Sequence, residues 1–311
     1  MTIVTTMCKL LFAMIIGFVL YKMKILTAES NQRMSDLIVK VTCPLLILYS
    51  VSEVSHDDPQ LVLKLFLAGL LLYLIMPLFA VLVTRLFRVP KDLRGTYMCM
   101  MVFANCQFMG FPVVQALFGS SAIFYSSIFN MAFNILFYTL GLTLIRRDAA
   151  VDGGMEDAVK LRPRNVVNTG IIASAAALVI YFANISLPDL FYDCVGFVGD
   201  ITTPLSMIII GSSLAAASLK DIKSEKGVLW ILPVRLAVIP FLTWCYMHLF
   251  TSDSMLIGIC TVTMGMPVAS MVAMGSAKYE RQGKCASIAV AVSTICSMAT
   301  IPIMAVLLGV V

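Results

Sequence analysis

Two stretches decide the fold: Asn105-Cys106-Gln107-Phe108-Met109-Gly110-Phe111-Pro112-Val113 and Gly265-Met266-Pro267-Val268-Ala269-Ser270. Each carries Gly-x-Pro in the middle of an apolar run. A proline in mid-span removes an amide donor and clashes with the carbonyl four residues back, and the nearby glycine loosens the backbone further. A helix is expected to break at each. Broken backbone inside hydrocarbon survives only when it is buried in protein or lines a wet cavity. Paired breaks in inverted repeats mark the substrate site of many secondary transporters, whereas a single proline more often makes a plain kink.

Composition sets the medium. Of 311 residues, 60% are apolar and 13% charged, with a mean hydropathy of +0.96; soluble domains are roughly half apolar and a quarter charged. The expectation is an all-α integral membrane protein. At about 20 residues per span, ten spans consume about two thirds of the chain and exclude a separate soluble domain. The net charge of +5 does not indicate nucleic acid, because the basic residues are scattered between apolar runs instead of sharing a water-facing patch. The nine cysteines contain no C-x-x-C pair, so neither a disulfide framework, a metal nor another cofactor is expected. The apolar run from Ile3 to Tyr21 is followed, not preceded, by Lys22 and Lys24, which reads as a retained first span.

Apolar windows place spans near 3–21, 34–52, 61–84, 97–118, 121–145, 166–184, 195–219, 228–250, 254–277 and 285–310. Eighteen of the 22 Lys and Arg residues fall in the odd-numbered loops, and the even loops carry Glu53, Asp57, Asp58, Asp189, Asp193 and Asp253 instead. The basic side is then cytoplasmic and both termini lie outside. Five spans per half invert the second half: 1–145 is one repeat, 146–165 a cytoplasmic linker and 166–311 the other. Prolines mark the repeat, Pro44, Pro77 and Pro112 being echoed by Pro204, Pro240 and Pro267 at intervals of 33 and 35 against 36 and 27 residues.

The chemistry expected at the crossing of spans four and nine follows from the same residues. Half-helices starting at Pro112 and Pro267 would aim free amides and positive dipole ends at the membrane centre. No acid occurs between Asp92 and Asp148 or between Asp253 and Glu280, which argues for an anionic or neutral substrate and against a cation/proton antiporter. Candidate binding residues are Asn105, Gln107, Gly110, Pro112, Val113, Gly265, Pro267, Val268 and Ser270; a helix-to-helix hydrogen bond is the alternative role for Asn105. Asp36 and Lys40, four apart with the acid first, read either as a structural ion pair or as a coupling site. Arg235 either attracts a carboxylate substrate or pairs with an acid in another span. Asp200 is the leading candidate for proton linkage. Ser126, Asn130 and Asn134, Ser293 and Ser297, and Gly211 with Ala215 read as packing surfaces.

Asn105 to Pro112 resembles the Asn-x-x-x-x-Gly-x-Pro segment of the auxin efflux carrier family. Cys43-Pro44-Leu45-Leu46, Thr202-Thr203-Pro204-Leu205, Gly211-Ser212-Ser213-Leu214, Gly265-Met266-Pro267 and Ala286 to Pro302 support the resemblance along nearly the whole chain. The short loop from Arg146 to Asn165 is similar to that of compact bacterial members, and Met271 departs from the Asn many relatives carry after the span-nine proline. The resemblance implies a scaffold of spans 1, 2, 6 and 7, a transport domain of spans 3–5 and 8–10 that moves as an elevator, and a homodimer. Together these readings imply an inner-membrane permease for a small organic anion, a mono- or dicarboxylate, with a proton or sodium as possible companion. The alternatives are a cation/proton antiporter-like carrier, or a channel or non-transporting membrane sensor. An enzyme is disfavoured, since His56 and His248 form no metal-protease motif and Gly211-Ser212 has no buried base in its span.

Overall fold

The computed structural model describes residues 3–54, 59–151, 169–216, 226–277 and 279–309. His56, Asp57, Asp58, Lys160, Arg162, Arg164, Lys220, Lys223, Lys278 and most of the 146–165 linker lie outside the described residues. Among those described, the structure is all helical, and its only non-helical pairing is an isolated antiparallel bridge between Ala104 and Val268. Five helical stretches are long and apolar enough to cross a membrane: Ala28–Glu53, Pro59–Leu86, Ser121–Val151, Asp189–Ala216 and Glu280–Leu307.

In chain order, α1 is Ile3–Lys22, α2 Ala28–Leu37, α3 Cys43–Ser50, α4 Pro59–Leu86, α5 Arg94–Val102 and α6 Phe111–Phe118. Then come α7 Ser121–Phe129, α8 Met131–Leu136, α9 Leu142–Val151, α10 Thr169–Phe182, α11 Asp189–Gly199 and α12 Thr202–Ala216. The chain closes with α13 Ile231–Pro233, α14 Ile239–Met247, α15 Ser254–Met264, α16 Ser270–Ser276 and α17 Glu280–Leu307.

Prolines shape these helices differently from the sequence expectation. Pro44, Pro112 and Pro240 each stand two residues after a five-residue π turn, at Ile38–Thr42, Cys106–Gly110 and Val234–Val238. In such a turn an amide bonds the carbonyl five residues back, as Cys43 does to Ile38, Phe111 to Cys106 and Ile239 to Val234. The wider turn absorbs both the missing donor and the bulk of the ring, so the helix bends its ladder instead of ending. Pro77 and Pro302 lie inside uninterrupted helices.

The closest helix pairing joins α1 to α12. A Cβ on Gly17 would fall on the Ile208 carbonyl, and one on Gly211 on that of Met14, so both glycines are required for backbone-to-backbone approach. α3 packs on α10 and α11, while α4, α5, α7, α14 and α15 pack among themselves. The stripe on span five joins helices: Ser126 and Thr263 hydroxyls are 3.2 Å apart, and Tyr73 donates to Asn130 at 3.0 Å.

Candidate functional site

Two interruptions of regular helix meet inside this packing. α5 ends at Val102, Phe103 is extended at φ −97° and ψ 114°, and helix resumes after Asn105 at φ −78° and ψ 63°. The first break therefore lies upstream of the Gly-x-Pro that led to it, which corrects the placement of a half-helix start at Pro112. Gly110 is itself helical at φ −62° and ψ −54°, and Pro112 sits in the first turn of α6. The π turn is the physical reason, since it accommodates the proline locally and leaves the break to Phe103–Asn105. The second break does fall at its motif, between Met264 and Ser270, with Pro267 inside it. The two Gly-x-Pro motifs thus stand in different positions relative to their breaks.

The breaks satisfy each other. The Asn105 amide donates to the Pro267 carbonyl at 2.9 Å and the Ala269 amide to the Phe103 carbonyl at 3.0 Å. The Val268 amide donates to Ser293 Oγ at 3.1 Å, giving that serine a role sequence had read as general helix packing. These bonds pair groups that would each cost several kcal/mol if left bare in hydrocarbon. Neither resumed helix is capped by a side chain, though the Cys106 amide donates to the Ala104 carbonyl at 2.8 Å and the Val272 amide to that of Ala269 at 3.0 Å.

Beside the crossing is a cavity of about 410 Å³, within the range that encloses a small organic molecule. Asn105 and Ser270, the residues at the two helix restarts, both line it, and Asn105 Nδ2 donates to Ser270 Oγ at 3.4 Å. Asn105 is thereby available in both roles foreseen for it, facing the cavity and bonding across helices. The remaining polar lining includes Asn31, Gln32, Ser35, Ser213 and Thr294, and among the described residues no charged side chain lines the cavity. Sequence reasoning missed these. A signal existed in Asn31 and Ser35, and in Ser287 and Thr294, small polar residues spaced at whole helical turns near the basic ends of apolar runs.

The other sequence candidates are distributed around this space. Gly110, Pro112, Val113, Gly265, Pro267 and Val268 are buried behind it and Gln107 is half-buried, none of them lining the cavity. Met271 is partly buried against the core, so Ser270 supplies the polar group on that side. Asp36 and Lys40 form a 3.3 Å ion pair with side chains 51% and 62% exposed, a placement that fits the structural pair. Asp200 is exposed and accepts from Gln115 Nε2 at 3.4 Å, while Thr203 Oγ1 donates to Gln115 Oε1 at 2.7 Å. Arg235 is fully buried and donates from Nη1 to the Met101 carbonyl at 3.1 Å; none of the ion pairs among the described residues includes it.

Comparison with known proteins adds one finding. A family model described as membrane transport protein matches residues 2–305, nearly the whole chain. No curated protein matches it at a significant level.

Proposed function

The chain belongs to the membrane transport protein family, and from that membership we propose that it is a secondary carrier for a small organic anion, a mono- or dicarboxylate, in the bacterial inner membrane. The observation that carries the substrate class is the uncharged cavity of about 410 Å³ with Asn105 and Ser270 at its wall. A cation site in a membrane interior calls for carboxylates, and among the described residues this lining has none. Amide and hydroxyl donors suit carboxylate oxygens. A family of transporters also accords with the non-enzymatic reading.

The finer architecture belongs to the same proposal. Ten spans form two inverted sets of five, with a scaffold of spans 1, 2, 6 and 7 and a transport domain of the rest. Supporting this, one wall of the cavity comes from α2 and α12 and the other from the two restarts and α17, so a substrate would lie between the moving and stationary parts. With the basic loops cytoplasmic, the cavity opens inward and both termini are outside. Elevator movement would carry the crossing past the scaffold, in a homodimer. Asp200 is the proposed coupling residue, and a proton or sodium its companion ion.

Counterflow of labelled malonate, malate and an indole acid in proteoliposomes tests the proposal. Saturable flux of at least one carboxylate is expected, reduced about tenfold or more by Asn105→Ala with folded protein retained. Absence of saturable flux for every carboxylate in the wild type would overturn it. Imposed proton and sodium gradients separate the two coupling ions, and Asp200→Asn is expected to remove the response.

A further inference from the structure

Charged side chains are almost never fully buried unless paired. Among the described residues two are buried, Asp148 and Arg235, and they bracket one element. Asp148 accepts from the Gly95 amide at 2.9 Å, the Thr96 amide at 2.6 Å and the Thr96 hydroxyl at 2.8 Å, placing negative charge at the positive start of α5. Arg235 donates to the Met101 carbonyl at 3.1 Å, placing positive charge at the negative end of α5, where that helix stops at the crossing.

The two ends differ in how fully they are used. The Asp148 carboxylate meets three donors, whereas Arg235 Nε and Nη2 are buried with no hydrogen-bond partner among the described residues. An arginine retained merely to hold helices together would be expected to have those donors met, because an incompletely paired buried charge is costly. What it does supply is sign. Four helix ends meet at the crossing: the ends at Val102 and Met264 are negative, the restart at Cys106 is positive, and the restart at Ser270 opens a helix of only seven residues and adds little. Dipoles alone leave the crossing neutral or slightly negative. A full positive charge on the end of α5 reverses that balance.

We infer that Arg235 is the specificity-determining charge of the site, making the crossing favour anions over their neutral analogues without touching the substrate. The inference rests on the carrier reading above. Met101 is four residues from Asn105, a chain length that reaches at most about 14 Å. Adding the reach of the arginine and of the Asn105 side chain, at about 15–20 Å and an effective dielectric near 20, one charge is worth about a four- to sixfold preference.

The experiment compares inhibition by a carboxylate and by its primary amide, using malonate, malate and an indole acid as the probe set in proteoliposomes. In the wild type the acid is expected to bind about four- to sixfold more tightly than the amide. Arg235→Gln removes that preference while leaving amide affinity unchanged, and Arg235→Lys, which keeps charge but not the guanidinium geometry, restores it. Asp148→Asn, at the remote end of the same helix, lowers stability and leaves the preference intact. Cys106, within electrostatic reach of Arg235, gives a second route that does not require the arginine to be removed. Cys106→Asp neutralises the guanidinium and erases the preference, and Cys106→Asn retains it. Carboxylate transport by the wild type with unchanged discrimination in Arg235→Gln or Cys106→Asp would overturn the inference alone. No saturable carboxylate flux in the wild type would overturn the carrier reading and this inference with it.

Discussion

Asn105 stands where the chain has left one helix and not yet entered the next, its amide held by Pro267 at 2.9 Å and its side chain turned to Ser270 at 3.4 Å. Because backbone bonds secure the break, the side chain is free to serve the cavity, and its replacement should affect binding more than folding. Asn105→Asp, which puts a carboxylate into a lining that holds none, is expected to weaken carboxylate binding at least tenfold beyond Asn105→Ala, measured by competition against labelled substrate; equal affinity in the two variants would remove Asn105 from the site. Gly211 illustrates the opposite case, a residue whose role is packing. Its missing Cβ leaves room for the Met14 carbonyl, so Gly211→Ala must part α1 from α12 and is expected to cost about 1–3 kcal/mol, read as a lowered melting temperature in detergent. The glycine was visible in the sequence as part of a small-residue face; its partner was not, because contact across 197 residues is decided by packing.

At the scale of elements, three π turns recur before Pro44, Pro112 and Pro240. Each converts a helix-breaking residue into a local widening of the helix. Pro112→Ala restores a donor, permits the turn to relax toward α geometry, and so shifts the register of α6 relative to Asn105. Transport is expected to fall several-fold with thermal stability unchanged or raised, and a variant with wild-type flux would show that the turn has no part in function. The prolines were legible as disturbances in apolar runs, yet their local outcome was not. Whether a ladder ends, widens or carries on, as it does through Pro77, depends on which neighbouring groups are able to take up the freed carbonyls.

The whole molecule presents an open, mostly apolar cavity set with a few polar groups on one side of the crossing and a polar contact on the other. Gln115 on α6 engages both Thr203 at 2.7 Å and Asp200 at 3.4 Å, tying the second half of the broken helix to the start of α12 on the side away from the basic loops. If the carrier alternates, that contact must part. Cysteines introduced as Gln115→Cys and Thr203→Cys, in a background cleared of exposed Cys8, Cys194 and Cys245, are expected to lose transport when joined by a short bifunctional reagent while keeping substrate binding at the cavity. Undiminished flux after complete linkage would exclude movement at this contact. At this scale the sequence by itself determined the medium, the helical class and the alternation of charged loops, since a bilayer imposes length, hydropathy and charge asymmetry on every span regardless of its neighbours. It also pointed to irregular helix in the two apolar runs that hold Pro112 and Pro267, the first of which breaks upstream of its proline, at Phe103–Asn105. Only the tertiary structure decided that the breaks pair backbone to backbone, that α2, α12 and α17 bring apolar side chains and a few polar ones together as the cavity wall, and that Arg235 closes on the end of α5. Those facts depend on which released amides, carbonyls and charges find one another in space, and nothing local to a single helix specifies its partner.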